Sequence, residues 1–179
     1  MKTTLTLFIL LSISVLGFSQ SSSMDSVIYK FMNDAICKTD TIFFNLRENS
    51  EKRHIYNDTV SFMQDSTLFS KEDFDFFRIQ IKEIEKFKWN GDLLKGAKVI
   101  AESDINRVFK KKKGWVKFRK KYGNCLSSFS MPIFNKDYKY CIIQVGSQCD
   151  WLAGGGGTDV YKFEDGKWVY VKSYSWWIS

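Results

Sequence analysis

The first nineteen residues set the terms on which everything after them must fold. Met1-Lys2 is a short basic start, Leu5 to Leu16 (LTLFILLSISVL) is an uncharged apolar run of 12 residues, and Gly17-Phe18-Ser19 places small residues at the −3 and −1 positions before Gln20. That order is the signature of a secretory signal peptide. A transmembrane anchor needs about 20 apolar residues, more than this run supplies. A lipoprotein would carry a cysteine directly after the run, and the first cysteine is Cys37. Cleavage near Ser19/Gln20 is therefore expected, which takes 19 of the 179 residues and leaves 160, Gln20 to Ser179. That length suits one domain, and no repeat or linker divides it, so residues 20–179 read as a single exported domain, periplasmic or secreted. No later stretch is long and apolar enough to span a bilayer.

Composition excludes several classes. With 16 Phe, 8 Tyr and 6 Trp the chain holds too many large apolar groups for a disordered tail. One Pro and 11 Gly exclude collagen-like and Pro-rich chains. Cleavage removes one Lys and no acid, leaving 26 Lys+Arg against 20 Asp+Glu, a net charge of +6. All four cysteines survive it, and an oxidising compartment invites their pairing. Their spacing lacks CxxC, and the only histidine is His54, so no zinc site and no cofactor are expected.

Local patterns give an element order. Val27, Ile28, Phe31 and Ala35 recur at helical spacing within Met24–Ile36. Thr41–Leu46 (TIFFNL) reads as a buried strand, and Thr59–Met63 as another short one. Ser70-Lys71-Glu72-Asp73 matches a capping box, and Phe74, Phe77, Ile81 and Ile84 then form one helical stripe, running to Asn90-Gly91. Ala97–Ala101 reads as a strand. Trp115, Phe118 and Tyr122 mark a short helix closed by Gly123. Beyond it antiparallel strands follow: 126–134 and 138–145 around Asn135-Lys136-Asp137, then 159–163 and 167–174 around Asp165-Gly166, a strong hairpin signal. The expected class is α+β, a mostly antiparallel sheet ending in a C-terminal meander, with a few short helices packed on one face.

The first of these hairpins permits a geometric argument. Pairing Met131 with Cys141 sets Phe129 opposite Ile143 and Ser127 opposite Val145, which gathers the apolar side chains on one face. Extended outward, this register brings Cys125 near positions 147–149. Cys125–Cys149 is thus the preferred disulfide, with Cys37 and Cys141 left as buried thiols or a second bridge. Pro132 cannot donate to a ladder and points to an edge position for its strand.

Trp115, Phe118 and Tyr122-Gly123, then Phe129-Ser130-Met131-Pro132-Ile133-Phe134, then Cys149, Gly154 and Gly156, then Gly166-Lys167-Trp168 and the final Trp176-Trp177-Ile178-Ser179 form a pattern. It resembles one found in small, uncharacterised exported bacterial proteins, a family of unknown function. Ser70–Asp73 with Gln80 resembles an upstream part of it. The resemblance implies a shared fold and an envelope or secreted setting, and it carries over no catalytic residue.

Four constellations remain. Between Asp104 and Asp137 there are ten basic residues and no acid, among them Lys110, Lys111, Lys112, Lys113, Lys117, Arg119, Lys120 and Lys121. These are candidates for binding phosphate, sulfate or anionic lipid, whereas the i, i+3, i+7 spacing of Trp115, Phe118 and Tyr122 turns the aromatics inward and leaves the lysines solvated. Nucleic acid is not expected. Gly154–Gly157 lacks the spacing of a phosphate cradle and reads as a mobile connection between strands. Trp151, Trp168, Trp176 and Trp177 read mainly as core, and an exposed pair among them would favour a sugar-binding platform. No catalytic residue can be assigned: His54 sits in a polar loop, GxSxG is absent, and acidic pairs such as Glu72/Asp73 and Glu83/Glu85 read as caps or solvated charges. The expected function is a non-enzymatic exported binding or interaction domain with an unknown envelope or extracellular partner. The alternatives are a small hydrolase of extracellular polymer using acidic residues, and attachment to anionic surfaces through the Lys-rich segment.

Overall fold

The computed structural model describes residues 19–37, 44–51, 62–110 and 113–179. Three long antiparallel strands dominate: β5 (Tyr140–Asp150), β6 (Ala153–Glu164) and β7 (Lys167–Ile178). Asp165 and Gly166 join the last two with φ of 48° and 76°. Both lie in the left-handed region that a two-residue hairpin turn of matching twist requires. The shorter strands β1 (Phe44–Arg47), β2 (Ala97–Ile100), β3 (Leu126–Phe129) and β4 (Ile133–Phe134) complete a seven-stranded sheet of order β2-β1-β3-β5-β6-β7, with β4 paired to β5. β1 runs parallel to both β2 and β3, and the other pairings are antiparallel. The α+β class with its C-terminal meander is as expected.

Helices α1 (Ser19–Phe31), α2 (Lys71–Ile81), α3 (Glu102–Phe109) and α4 (Gly114–Lys121) pack around this sheet. α1 begins earlier than its apolar spacing suggested and passes into a π-helical turn, Met32–Ile36. Ser70 caps α2: the Asp73 N–H donates to Ser70 Oγ at 3.1 Å, and the Ser70 N–H donates to Asp73 Oδ2 at 3.0 Å. α2 ends at Ile81 rather than reaching Asn90, because a 3₁₀ turn at Ile84–Lys86 redirects the chain so that Lys88 can bridge to Asn49. The stripe survives the break, and Phe77 and Ile84 are both fully buried. Gln80 then treats β4 as a strand would. Its Nε2 donates to Phe134 O at 2.7 Å, and its Oε1 accepts from Phe134 N at 2.9 Å. Pro132 lies in the break between β3 and β4, where no ladder donor is needed, and β4 pairs with β5 alone. Of the strand expected at 59–63, residues 59–61 lie outside the described residues, and Phe62 starts a helical turn. The Thr41–Leu46 strand is described from Phe44 onward.

Two clusters of buried side chains hold these layers. In the larger, Phe31 meets Phe134, Tyr161 and Trp168 edge-on at 5.9, 5.5 and 5.1 Å, and Phe77 meets Phe62 and Phe69 at 5.7 and 5.1 Å, geometries that set the positive ring edge against a negative face. The smaller joins α3 and α4 to the sheet through Ile100, Ile105, Trp115, Phe118 and Leu126. Leu126 and Phe129, three residues apart on β3, face opposite ways and serve different clusters.

The hairpin register differs from expectation by two residues: Phe129 pairs with Val145 and Ser127 with Ser147. The turn is longer than Asn135–Asp137, because Asn135 Oδ1 accepts from the amides of both Lys139 and Tyr140 at 2.8 Å. A slip of two keeps every side chain on its face, and the same register carried outward sets Cys125 against Cys149. They form the disulfide, Cα to Cα 4.1 Å, while Cys37 and Cys141 are buried thiols.

Asp65 ties the segment before α2 to β7. Its carboxylate accepts from Lys172 Nζ at 2.8 Å, from Thr67 Oγ1 and from Tyr174 Oη at 2.8 Å. These partners, Lys172 foremost, hold it well below the usual carboxylate range. A depressed folded-state pKa contributes stability above the unfolded value, about 4, that drains away as pH falls below it. The melting temperature should therefore drop between pH 5 and pH 3 in the wild type and drop less in Asp65→Asn. Equal slopes in thermal melts across that range would refute this role.

Candidate functional site

The far end of the meander carries a concave patch whose origin lies in the strand register. Ser128 pairs with Gly146, Gly146 with Gly156 and Gly156 with Trp177, so these four form one row across four strands on one face. The row's two central members have no side chain, which lets Ser128 and Trp177 lean in over them. Ser128 Oγ lies 2.8 Å, and Trp177 Nε1 3.1 Å, from where a Cβ on Gly146 and on Gly156 would stand. Flanking rows on the same face bring in Gln148 with Gly154, and Gln144 with Thr158. Ser179 joins by exchanging backbone hydrogen bonds with Gly154 at 3.2 and 3.0 Å.

The result is a cavity of about 300 Å³, walled by Arg47, Glu51, Trp151 and Trp177 over Ser128, Gln144 and Gln148. Gln144 is only 5% exposed, and its Oε1 finds no hydrogen-bond partner among the described residues. A buried acceptor left unpaired costs about 1–3 kcal/mol, which a ligand donor would recover. Arg47 stands at the end of β1 with Nη1 3.4 Å from Glu102 Oε1.

Trp151 is 64% exposed yet well anchored. It lies in the β5–β6 turn, two residues past the bridged Cys149, and meets Phe109 edge-on at 5.9 Å. Asp150 Oδ1 accepts from its backbone N–H at 2.8 Å. Arg119 clamps the same turn by donating to Cys149 O at 3.0 Å and to the Asp150 carboxylate.

A second, more open depression of about 710 Å³ lies behind it. Its lining includes Asn45, Tyr122, Asn124, Ser127, Phe129 and Gly155. Ser127 and Phe129 alternate in sequence with Leu126 and Ser128 of the first cavity, which places them on the opposite face of the same strand.

The Lys-rich residues gather elsewhere. Lys110, Lys113, Lys117, Lys120 and Lys121 are exposed on and around α4, and none of them lines either cavity; Lys111 and Lys112 lie outside the described residues. Lys121 is 3.7 Å from Asp104, and Arg119 is committed to the Asp150 turn. Trp115 and Phe118 point into the smaller core, as their spacing indicated. His54 lies outside the described residues.

Two expectations are corrected. Gly154–Gly157 is not a mobile connection but the start of β6, hydrogen-bonded to strands on both sides. Glycine's poor strand propensity yields there because neighbours at both edges supply the ladder. The tryptophans are not mainly core either: Trp168 alone of the four is buried, Trp151 and Trp176 are exposed, and Trp177 is half-buried. Sequence reasoning missed Arg47, Glu51, Ser128, Gln144 and Gln148. The one local sign was Gln144, a polar residue inside the apolar run of β5.

No protein-family model matches the chain, and neither a curated protein nor a solved structure is similar to it.

Proposed function

We propose that this protein is an exported, non-enzymatic binding domain that holds a small polar ligand in the cavity between Trp151 and Trp177. The observation that carries this is Gln144, whose buried carbonyl oxygen has no partner among the described residues, in a cavity already walled by aromatic and polar side chains. Ligand sites combine a few placed polar groups with aromatic walls in this way. The described lining holds one carboxylate, Glu51, where glycoside hydrolysis of the usual kind employs two; that favours retention over cleavage. The export reading rests on the signal-like opening and on the resemblance to small exported proteins. The Cys125–Cys149 bridge is compatible with it, and no helix among the described residues is long and apolar enough to cross a membrane. Attachment to anionic surfaces draws on the exposed Lys110, Lys113, Lys117 and Lys120, but it uses neither cavity.

A low-molecular-weight fraction of the native surroundings should raise the melting temperature of the purified protein. Gln144→Leu should weaken that effect about 10- to 100-fold in concentration, the equivalent of one buried hydrogen bond. The captured compound should be recovered unchanged by mass spectrometry. No shift with any fraction would end the binding reading, and a converted product would end the non-enzymatic one.

A further inference from the structure

We infer that the ligand is a neutral saccharide, held with one sugar ring against the indole of Trp177 or Trp151 and its hydroxyls on Gln144, Gln148 and Ser128. This rests on the binding reading above and narrows it.

Three features of the cavity select the class. The first is Gln144 Oε1, unpartnered among the described residues, which a donor from the ligand would satisfy. Sulfate and carboxylate ligands have acceptors only, and hydrocarbon has neither, so each would leave that oxygen orphaned at the bottom of the site. Hydroxyl groups both donate and accept, and they match Gln148 and Ser128, which also line the cavity and carry the same dual capacity.

The second is charge. The described lining carries one charge of each sign, Arg47 and Glu51, and Arg47 also lies 3.4 Å from Glu102. The cavity thus offers no excess positive charge to pull in an anion, and its uncharged amides and hydroxyls do the selecting.

The third is shape. Two indoles wall a floor that has no side chain at Gly146. An aromatic face carries negative charge density, and the axial C–H groups of a pyranose present a weakly positive apolar face of similar breadth. At about 300 Å³ the space is at the small end of ligand pockets and admits roughly one or two sugar rings. Trp151, 64% exposed and anchored from behind by Phe109 and from below by Arg119 and the disulfide, is held in place before any ligand arrives. A rigid aromatic at the rim loses little freedom on binding.

The test is tryptophan-fluorescence and calorimetric titration of the oxidised protein against two panels. One holds D-glucose, D-galactose, D-mannose, N-acetyl-D-glucosamine and β-linked disaccharides of each. The other holds zwitterionic amino acids and dipeptides, which also carry donors. The expected result is saturable binding of at least one sugar. Trp151→Ala and Trp177→Ala should each weaken it at least tenfold, whereas Trp176→Ala, on the opposite face of β7, should leave it unchanged. Trp151 is a surface residue, so its variant keeps the test valid should Trp177→Ala fail to fold. Binding confined to the second panel would overturn the saccharide assignment and leave the binding domain standing. Sugar binding untouched by both cavity variants would overturn the assignment to this site. If neither panel binds, the saccharide inference falls, and the native low-molecular-weight fractions decide separately whether the protein binds anything.

Discussion

Replacing both Cys125 and Cys149 with serine should lower the stability of the protein by about 3.5 kcal/mol, the chain-entropy value for a loop of this size; the two residues are 24 apart. For a domain this large that corresponds to roughly 7–14 °C in melting temperature. The loss should exceed what the loop term alone conveys to function, because the same bridge holds the turn that carries Trp151. Urea unfolding of the double variant beside the wild type measures the first effect, and a change below about 1 kcal/mol would contradict it. Thiol counting gives an independent check. Unfolded without reductant, the wild type should show two titratable thiols, Cys37 and Cys141. Folded, both should react slowly, since burial pushes the Cys37 thiol up to about 11 and the Cys141 thiol well above its usual value, and only the thiolate reacts.

Alanine at Gly156 or Gly157 should cost about 3 kcal/mol or more, the upper end of what inserted atoms cost in a packed interior. A Cβ on Gly156 would press on Val145 O and lie 3.0 Å from Gly146 Cα, and one on Gly157 would press on Ser175 O. Those neighbours are backbone atoms of β5 and β7 held in the ladder, so no side-chain rotation gives relief. Gly166→Ala provides the contrast. Nothing lies within 4 Å of its Cβ position, but its φ of 76° is left-handed, and the expected cost is about 1 kcal/mol. Denaturant melts of the three variants rank these effects, and a Gly156→Ala protein as stable as Gly166→Ala would show that the sheet yields there. Because Trp177 Nε1 stands 3.1 Å from the Gly156 Cβ position, a partly folded Gly156→Ala variant should displace that cavity wall and lose ligand binding before it loses secondary structure.

Legibility along the chain followed the range of the interaction concerned. The capping box at Ser70 and Asp73, the Asp165-Gly166 turn and the α4 stripe of Trp115 and Phe118 each depend on residues within a few positions of one another, and each could be read directly. The Cys125–Cys149 pairing was legible for a subtler reason. The register was misjudged by two residues, yet an even slip preserves the face, and the bracket of 147–149 already contained the partner. The end of α2 was not legible, because it depends on Lys88 reaching Asn49, nearly forty residues back.

What the amino-acid order determined alone was therefore the list of parts: the signal-like opening, the capped helix, the hairpin and the α+β class. Tertiary structure decided how the glycines and tryptophans are used. A run of four glycines has no preference of its own, and becomes a strand only because β5 and β7 bring hydrogen-bond partners to both of its edges. A tryptophan in an alternating strand is buried or exposed according to what the opposite face meets, and Trp177 became a wall because the register set it across from Gly156. Side chains from β1, β3, β5, β7 and the β5–β6 turn enclose the cavity, and no local pattern links positions so far apart in the chain.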